Sequence, residues 1–241
     1  MLNVQNTLLR FFVLFALIQL AGCGLTENGP TVAEQPRPVV SAPITTLPEN
    51  LGASCNGKRT QLYDACGSQL SILKSAKARA KAEGKVVLVS YGADWCIWCH
   101  VFHKYAQGYS GTFDYTYGPP GAPEDVRSSR LKETPQAQME AQARELNAFI
   151  AANFVLVHID AQYAPDGEKV LAQTGGRAHY NYSLPFMYTI DERGKYAGHI
   201  VSSEVDRRRD TAVNWYRGYR RPALLAKLRS LHSKAQGAPA G

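Results

Sequence analysis

Lys85 to Tyr105, KVVLVSYGADWCIWCHVFHKY, restricts the fold of this chain more than any other stretch. Val86 to Tyr91 is short, continuously apolar and rich in β-branched residues, which predicts a central parallel strand covered on both faces. Gly92, Ala93 and Asp94 break the run. Cys96 and Cys99 follow at the head of a predicted helix. There, unpaired N–H groups and the positive end of the helix dipole favour a thiolate on Cys96. Cys99 lies one turn on, close enough to attack or to close a disulfide.

With Trp95 directly before the first cysteine, VVLVSYGADWCIWC resembles the active-site stretch of thioredoxin-like proteins. Leu184-Pro185-Phe186 resembles the second signature of that family, a cis-proline loop leading into a strand. The resemblance covers about Ser68 to Leu231, with one large interruption. Within the family it is nearest to the extracytoplasmic lipoprotein subgroup with a GADWCxWC motif. It implies an α/β fold, a thioredoxin-like three-layer α/β/α sandwich around a central mixed sheet. Val86–Tyr91 and Phe154–Ile159 are then parallel neighbours. Phe186–Ile190 runs antiparallel to Val86–Tyr91 and pairs with Tyr196–Val201.

The implied activity is thiol–disulfide exchange on protein disulfides. That chemistry needs one exposed nucleophilic thiolate, here Cys96, and one enclosed resolving thiol, here Cys99, and no cofactor beyond them. Ile97 and Trp98 bring neither charge nor proline to the pair. His100 reads as a positive neighbour that tunes Cys96 or Cys99 when protonated. A cis bond at Pro185 would bring the backbone of Leu184 beside Cys96, where it could pair with an extended substrate. A trans-proline at a strand start is the alternative. Ser90 departs from the family pattern, because cytoplasmic thioredoxin carries a buried aspartate there to move the proton of the resolving thiol. Water, another group such as Asp94, or the substrate must then accept that proton.

A different chemistry competes for the same helix. Cys96, Cys99, His100 and His103 share one face, and two thiolates with two imidazoles suit Zn²⁺ or Cu⁺ carriage. Side chains on one rigid helix converge poorly on a single ion, so exchange is preferred.

The N-terminus supplies an address. Met1 to Gly22 reads as a signal peptide with Arg10 as its one charge and an apolar stretch too short to span a bilayer. Leu20-Ala21-Gly22-Cys23 resembles a bacterial lipobox, cleaved before Cys23, whose thiol is then acylated. Acyl chains supply about 0.8 kcal/mol per buried methylene, so several anchor stably. Gly24 in place of an acidic residue leans toward the outer membrane, facing the periplasm. Residues 23–50 read as a proline-rich flexible tether. Residues 51–241 form the domain. An extracytoplasmic reductase also needs a membrane electron donor as partner. The net charge of +7 is spread along the domain without a nucleic-acid motif, so it speaks to solubility and encounter.

With Cys23 acylated and Cys96 paired to Cys99, Cys55 and Cys66 remain. They read as a structural disulfide closing a small loop, with a second redox pair as the alternative.

Helices are predicted over Ser68–Ala82, over about Thr134–Ala152 and over Pro222–His232, with a short one at Val170–Thr174. Residues 108–135 do not fit a minimal domain of this family. They read as a long loop, either a partner-binding or lid element with tyrosine anchors or a tolerated surface insertion. Ser203–Tyr219 is also longer than the family's link, and Trp215, Tyr216 and Tyr219 read as a packed helix face.

Overall fold

A computed structural model describes residues 42–51, 61–111, 113–117, 127–131, 137–207 and 218–237. Its centre is β2 (Val86–Gly92), buried at every position. Successive side chains of a strand point to opposite faces, so a strand buried throughout must be covered twice. Val86 and Leu88 enter one core, with residues of α2 (Ile97–Ala106), α3 (Ala137–Asn153) and α6 (Arg221–Ala235). Val87, Val89 and Tyr91 enter the other, against α1 (Gln69–Glu83) and α4 (Gly167–Thr174). The result is a mixed sheet between two helical layers, a thioredoxin-like α/β/α sandwich.

The register follows the sequence pattern. β5 (Phe154–Asp160) runs parallel to β2, pairing Val86 with Phe154 and Ser90 with His158. β6 (Phe186–Ile190) lies antiparallel on the other side of β2 and pairs with β7 (Tyr196–His199). Gly194 makes the β6–β7 turn at φ 76°, in the left-handed region that suits glycine. α1 starts at Ser68, whose side chain accepts a hydrogen bond from the Ser71 amide. Its first turn also faces Asp166, which accepts from Ser68 Oγ at 2.7 Å and the Gln69 amide at 2.9 Å.

Three regions differ from the sequence-based expectation. Thr45–Leu47, inside the stretch assigned to the tether, forms β1 and pairs parallel with Val155–Val157 at the sheet edge. Three residues of low apolar content leave a weak strand signal, and the long-range partner decides. The 108–135 segment is not a plain loop: β3 (Phe113–Tyr117) and β4 (Arg127–Leu131) form an antiparallel ribbon. Tyr115 and Leu131 from this ribbon are buried in the α2 core. In the stretch after β7, α5 (Ser202–Val205) is the one described helix, and Tyr219 is not on it. Tyr219 forms an isolated bridge with Asp206 and is buried against Phe102 and Tyr105. Trp215 and Tyr216 lie outside the described residues, as does the Thr134-Pro135 helix start. Among the described residues no helix is long and apolar enough to cross a membrane.

The β1 edge is tied to α1 by Glu83. Its carboxylate accepts from Thr45 Oγ1 at 2.9 Å and pairs with Lys85 at 2.6 Å and with Arg79. The hydrogen bonds from Lys85 and Arg79 hold the Glu83 carboxyl down at about 2. A depressed carboxyl contributes stability above its unfolded value and loses it as pH falls through the folded one. Glu83→Gln is therefore expected to lower stability at pH 7 by at most about 1 kcal/mol, since the cluster is near the surface. The difference from wild type should shrink as pH falls from 4.5 toward 2 in denaturant titrations.

Candidate active site

Cys96 is the N-cap of α2 and Cys99 lies in its first turn. The two are joined by a disulfide with Cα atoms 5.3 Å apart. The Cys99 amide points at Cys96 Sγ, 3.2 Å away, which is the helix-start donor that stabilises a thiolate on the first cysteine. Cys96 is 4% exposed and Cys99 0%, so Cys96 is less open than the expected nucleophile, while the order of the two stands. Cys96, and not Cys99, borders a groove of about 560 Å³.

The groove is walled by aromatic side chains from separate parts of the chain. Trp95, Ile97 and Trp98 flank Cys96, Leu184 closes one side, and Tyr117 arrives from β3. Tyr180 and Tyr182 complete the rim, Tyr182 being 74% exposed at φ 64°. The Leu184–Pro185 bond is cis. Leu184 packs on the cluster of Leu62, Tyr63, Cys96 and Cys99. The Trp95 indole N–H donates to Gln162 Oε1. The loop carrying Gln162 is held by Asp160, whose Oδ1 accepts from three successive backbone amides of residues 162–164.

Behind the disulfide lies a buried polar window in the α2-side core. Ser90 and His158 are register partners and point to the same face. Tyr63, from the segment before α1, sends its hydroxyl to within 3.0 Å of Ser90 Oγ and its ring edge onto His158. His158 Nε2 lies 3.2 Å from His103 Nδ1. Asp94 accepts from the amides of Gln61, Leu62 and Tyr63 at 3.0, 2.8 and 3.0 Å and so clamps this segment over the cysteines. Asp94 is thus committed to backbone donors. Burial still pushes its carboxyl up to about 6, against the pull of those donors.

The histidines do not behave as the sequence suggested. His100 Nε2 donates to the Asp94 carbonyl at 2.6 Å, and burial pushes its imidazole down to about 4. It is neutral at neutral pH and is not a positive neighbour of the thiols. Burial likewise lowers His103 to about 4 and holds His158 well below its ordinary value. His100 and His103 turn to different partners, so the four-ligand set on α2 does not converge. Among the described residues no group of three or more His, Cys, Asp or Glu is placed to hold a metal ion.

Cys66 is disulfide-bonded. Cys55 and Cys23 lie outside the described residues. Tyr63, His158, Tyr180 and Tyr182 were not singled out from the sequence, whereas Tyr117 falls among the tyrosine anchors read in residues 108–135. His158 carried a visible signal, a histidine on the same face as Phe154 and Leu156 in a strand otherwise built of core residues.

The neutral imidazoles make a pH prediction. The unfolded chain protonates these histidines near 6.5 and the folded chain only well below, so stability falls as pH drops from 6.5 toward 4. Asp94 acts oppositely between 3.8 and about 6, because the folded state holds its proton more tightly. Each uncompensated histidine contributes a slope of about 1.4 kcal/mol per pH unit. His158→Gln should flatten the slope between pH 6.5 and 4.5 by about one histidine's share in urea titrations, and an unchanged slope would refute a buried neutral His158.

No protein-family model and no solved structure matches the chain. A 38-residue stretch is 53% identical to the thiol:disulfide interchange protein DsbD of Vibrio cholerae. The stretch is 16% of this chain and 6% of DsbD. Fold, cysteine geometry and this local match agree: the chain has a thioredoxin-like fold that carries a redox-active Cys96–Cys99 pair, and over this stretch it is similar to DsbD.

Proposed function

We propose that the chain is a lipid-anchored, periplasm-facing thiol–disulfide oxidoreductase that reduces protein disulfides through the Cys96/Cys99 dithiol. The observation that carries this reading is the Cys96–Cys99 disulfide at the start of α2, with Cys96 on an open aromatic groove and Cys99 closed behind it. The name of the matched protein, thiol:disulfide interchange, describes the same chemistry.

In the reducing direction the Cys96 thiolate attacks a client disulfide and forms a mixed disulfide, releasing one client thiol. Cys99 then attacks Cys96 Sγ, the second client thiol leaves, and the internal disulfide remains. The groove favours a client segment with apolar residues beside its cysteine, laid along the backbone of Leu184. Regeneration takes two electrons from outside, in this reading from a membrane reductase. In this reading Cys23, at the end of the lipobox-like Leu20–Cys23 segment, is acylated and anchors the chain to the outer membrane, and Cys66 pairs with Cys55 as a staple near the domain entrance.

Cys99→Ala keeps the attacking thiol and removes the resolving one. It should accumulate mixed disulfides with client proteins that disappear on adding reductant, whereas Cys96→Ala should trap few. Absence of any adduct from the Cys99→Ala chain would sink the exchange reading. A redox titration separates directions: a potential near that of thioredoxin, about −270 mV, supports reduction, and one near −120 mV supports oxidation. Cys23→Ser should move the protein from the membrane to the soluble fraction. Tyr117→Ala should alter the set of trapped clients while leaving reduction of a small disulfide within about twofold, since such a probe fills little of the groove.

A further inference from the structure

The strand position that carries a carboxylate in cytoplasmic thioredoxin is Ser90 here, and a serine hydroxyl is no base for the Cys99 proton. The space beside Cys99 is nevertheless polar. The open side of Gly92 faces both the resolving sulfur and the Tyr63 phenol. A Cβ on Gly92 would stand 2.6 Å from Cys99 Sγ and 2.8 Å from Tyr63 Cζ, with the Tyr63 oxygen closer still. Glycine therefore keeps open a contact zone that any side chain would fill. Tyr63, Cys96 and Cys99 belong to one buried cluster, and Tyr63 is 0% exposed.

Two hydroxyls meet at this point, Tyr63 and Ser90, 3.0 Å apart. They carry two hydrogens. One fills the space between the oxygens, and the other is left for a neighbour. If Ser90 donates to Tyr63, the Tyr63 hydrogen is the one left over, and Cys99 Sγ is on its side of Gly92. Resting on the exchange reading above, we propose that the Tyr63 hydroxyl is a catalytic residue of the resolving step, donating its hydrogen to the Cys99 thiolate while Ser90 donates to the Tyr63 oxygen.

The step balances without further groups. The Cys99 thiol loses its proton to water, and its sulfur attacks Cys96 Sγ of the mixed disulfide. The Cys96–Cys99 bond forms, the bond from Cys96 to the client sulfur breaks, and the client leaves as a thiolate that takes a proton from water. The client disulfide is reduced by two electrons and the Cys96/Cys99 pair is oxidised by two. Tyr63 keeps its own hydrogen throughout, because burial drives the phenol far above its ordinary range. A hydrogen bond to an anion is stronger than one to a neutral thiol, so the donor favours ionised Cys99.

The other groups around Tyr63 do not replace it. Asp94 and Asp160 are acidic and oppose a nearby thiolate, and Asp94 is bonded to the amides that hold Tyr63 in place. His158 packs on the Tyr63 ring and is neutral at neutral pH, as is His103 behind it. Tyr219, across the core, is a buried phenol raised well above its ordinary value.

The test uses the reduced full chain and an excess of dithio-bis-nitrobenzoate, which releases a coloured thiolate at each step. The first phase reports attack by Cys96. The second is independent of probe concentration and reports attack by Cys99; the Cys99→Ala chain, which lacks it, marks it. Tyr63→Phe is expected to leave the first phase within about twofold and slow the second about tenfold, the effect of removing one hydrogen bond to a charged group. The pH profile of the second phase should move up by about one unit. Ser90→Ala should slow the second phase by about threefold, since the donor remains but its support is gone. A second phase within about twofold of wild type in Tyr63→Phe overturns the proposal, as does equal slowing of both phases. Should Tyr63→Phe fail to fold, an unchanged second phase in Ser90→Ala overturns it. A wild-type chain with no second phase at all refutes dithiol exchange itself and takes this inference with it.

Discussion

The structure depends on the complete burial of β2. In a strand with both faces covered an unpaired polar atom is costly, about 1–3 kcal/mol for an unsatisfied buried hydroxyl. Val86 to Val89 avoid that cost with apolar side chains split between two cores. Ser90 does not, and it is paired by Tyr63. That pairing brings the segment before α1 across the end of the strand, where Asp94 ties its backbone down through three amides. The lid over Cys99 is thus a consequence of burying Ser90 and Asp94, and the same contacts that stabilise the fold shape the site.

The electrostatics of the site follow from burial as well. His100, His103 and His158 lie on the α2 side of the sheet, and desolvation keeps all three neutral. No imidazolium is then available to stabilise a thiolate at neutral pH. Dipoles remain: the Cys99 amide on Cys96 Sγ and the Tyr63 hydroxyl beside Cys99. Dipoles fixed by the fold need no reorganisation when charge moves from one sulfur to the other, and that movement is what disulfide exchange requires.

Much of this architecture was legible in the sequence, for reasons that can be named. The bounds of β6 match because Phe186 to Ile190 lies between a proline and a turn. α1 matches because Ser68 and Gly84 cap an apolar stripe, although Gln69 rather than Leu70 is the buried member: its amide group donates to the Asp64 and Gly67 carbonyls. β1 was missed because three residues carry no period. The β3–β4 ribbon was hidden behind glycines and prolines that read as loop. His100 was misjudged because a charge state depends on burial, and burial of one helical position depends on what packs there. Here the packing residue is Tyr115, whose ring stacks on His100 from the inserted ribbon.

The ribbon therefore reaches the site by two routes. Tyr115 covers His100 and helps to keep it dry, while Tyr117, two residues on along the same strand, lines the groove at Cys96. Positions i and i+2 of a strand share a face, so one register serves both contacts. Leu131 on the partner strand anchors the ribbon in the core at its other end, opposite Phe113. Deleting the ribbon would uncover the α2 core and the groove together, so the client-binding part proposed for it is separable from its structural one only at Tyr117.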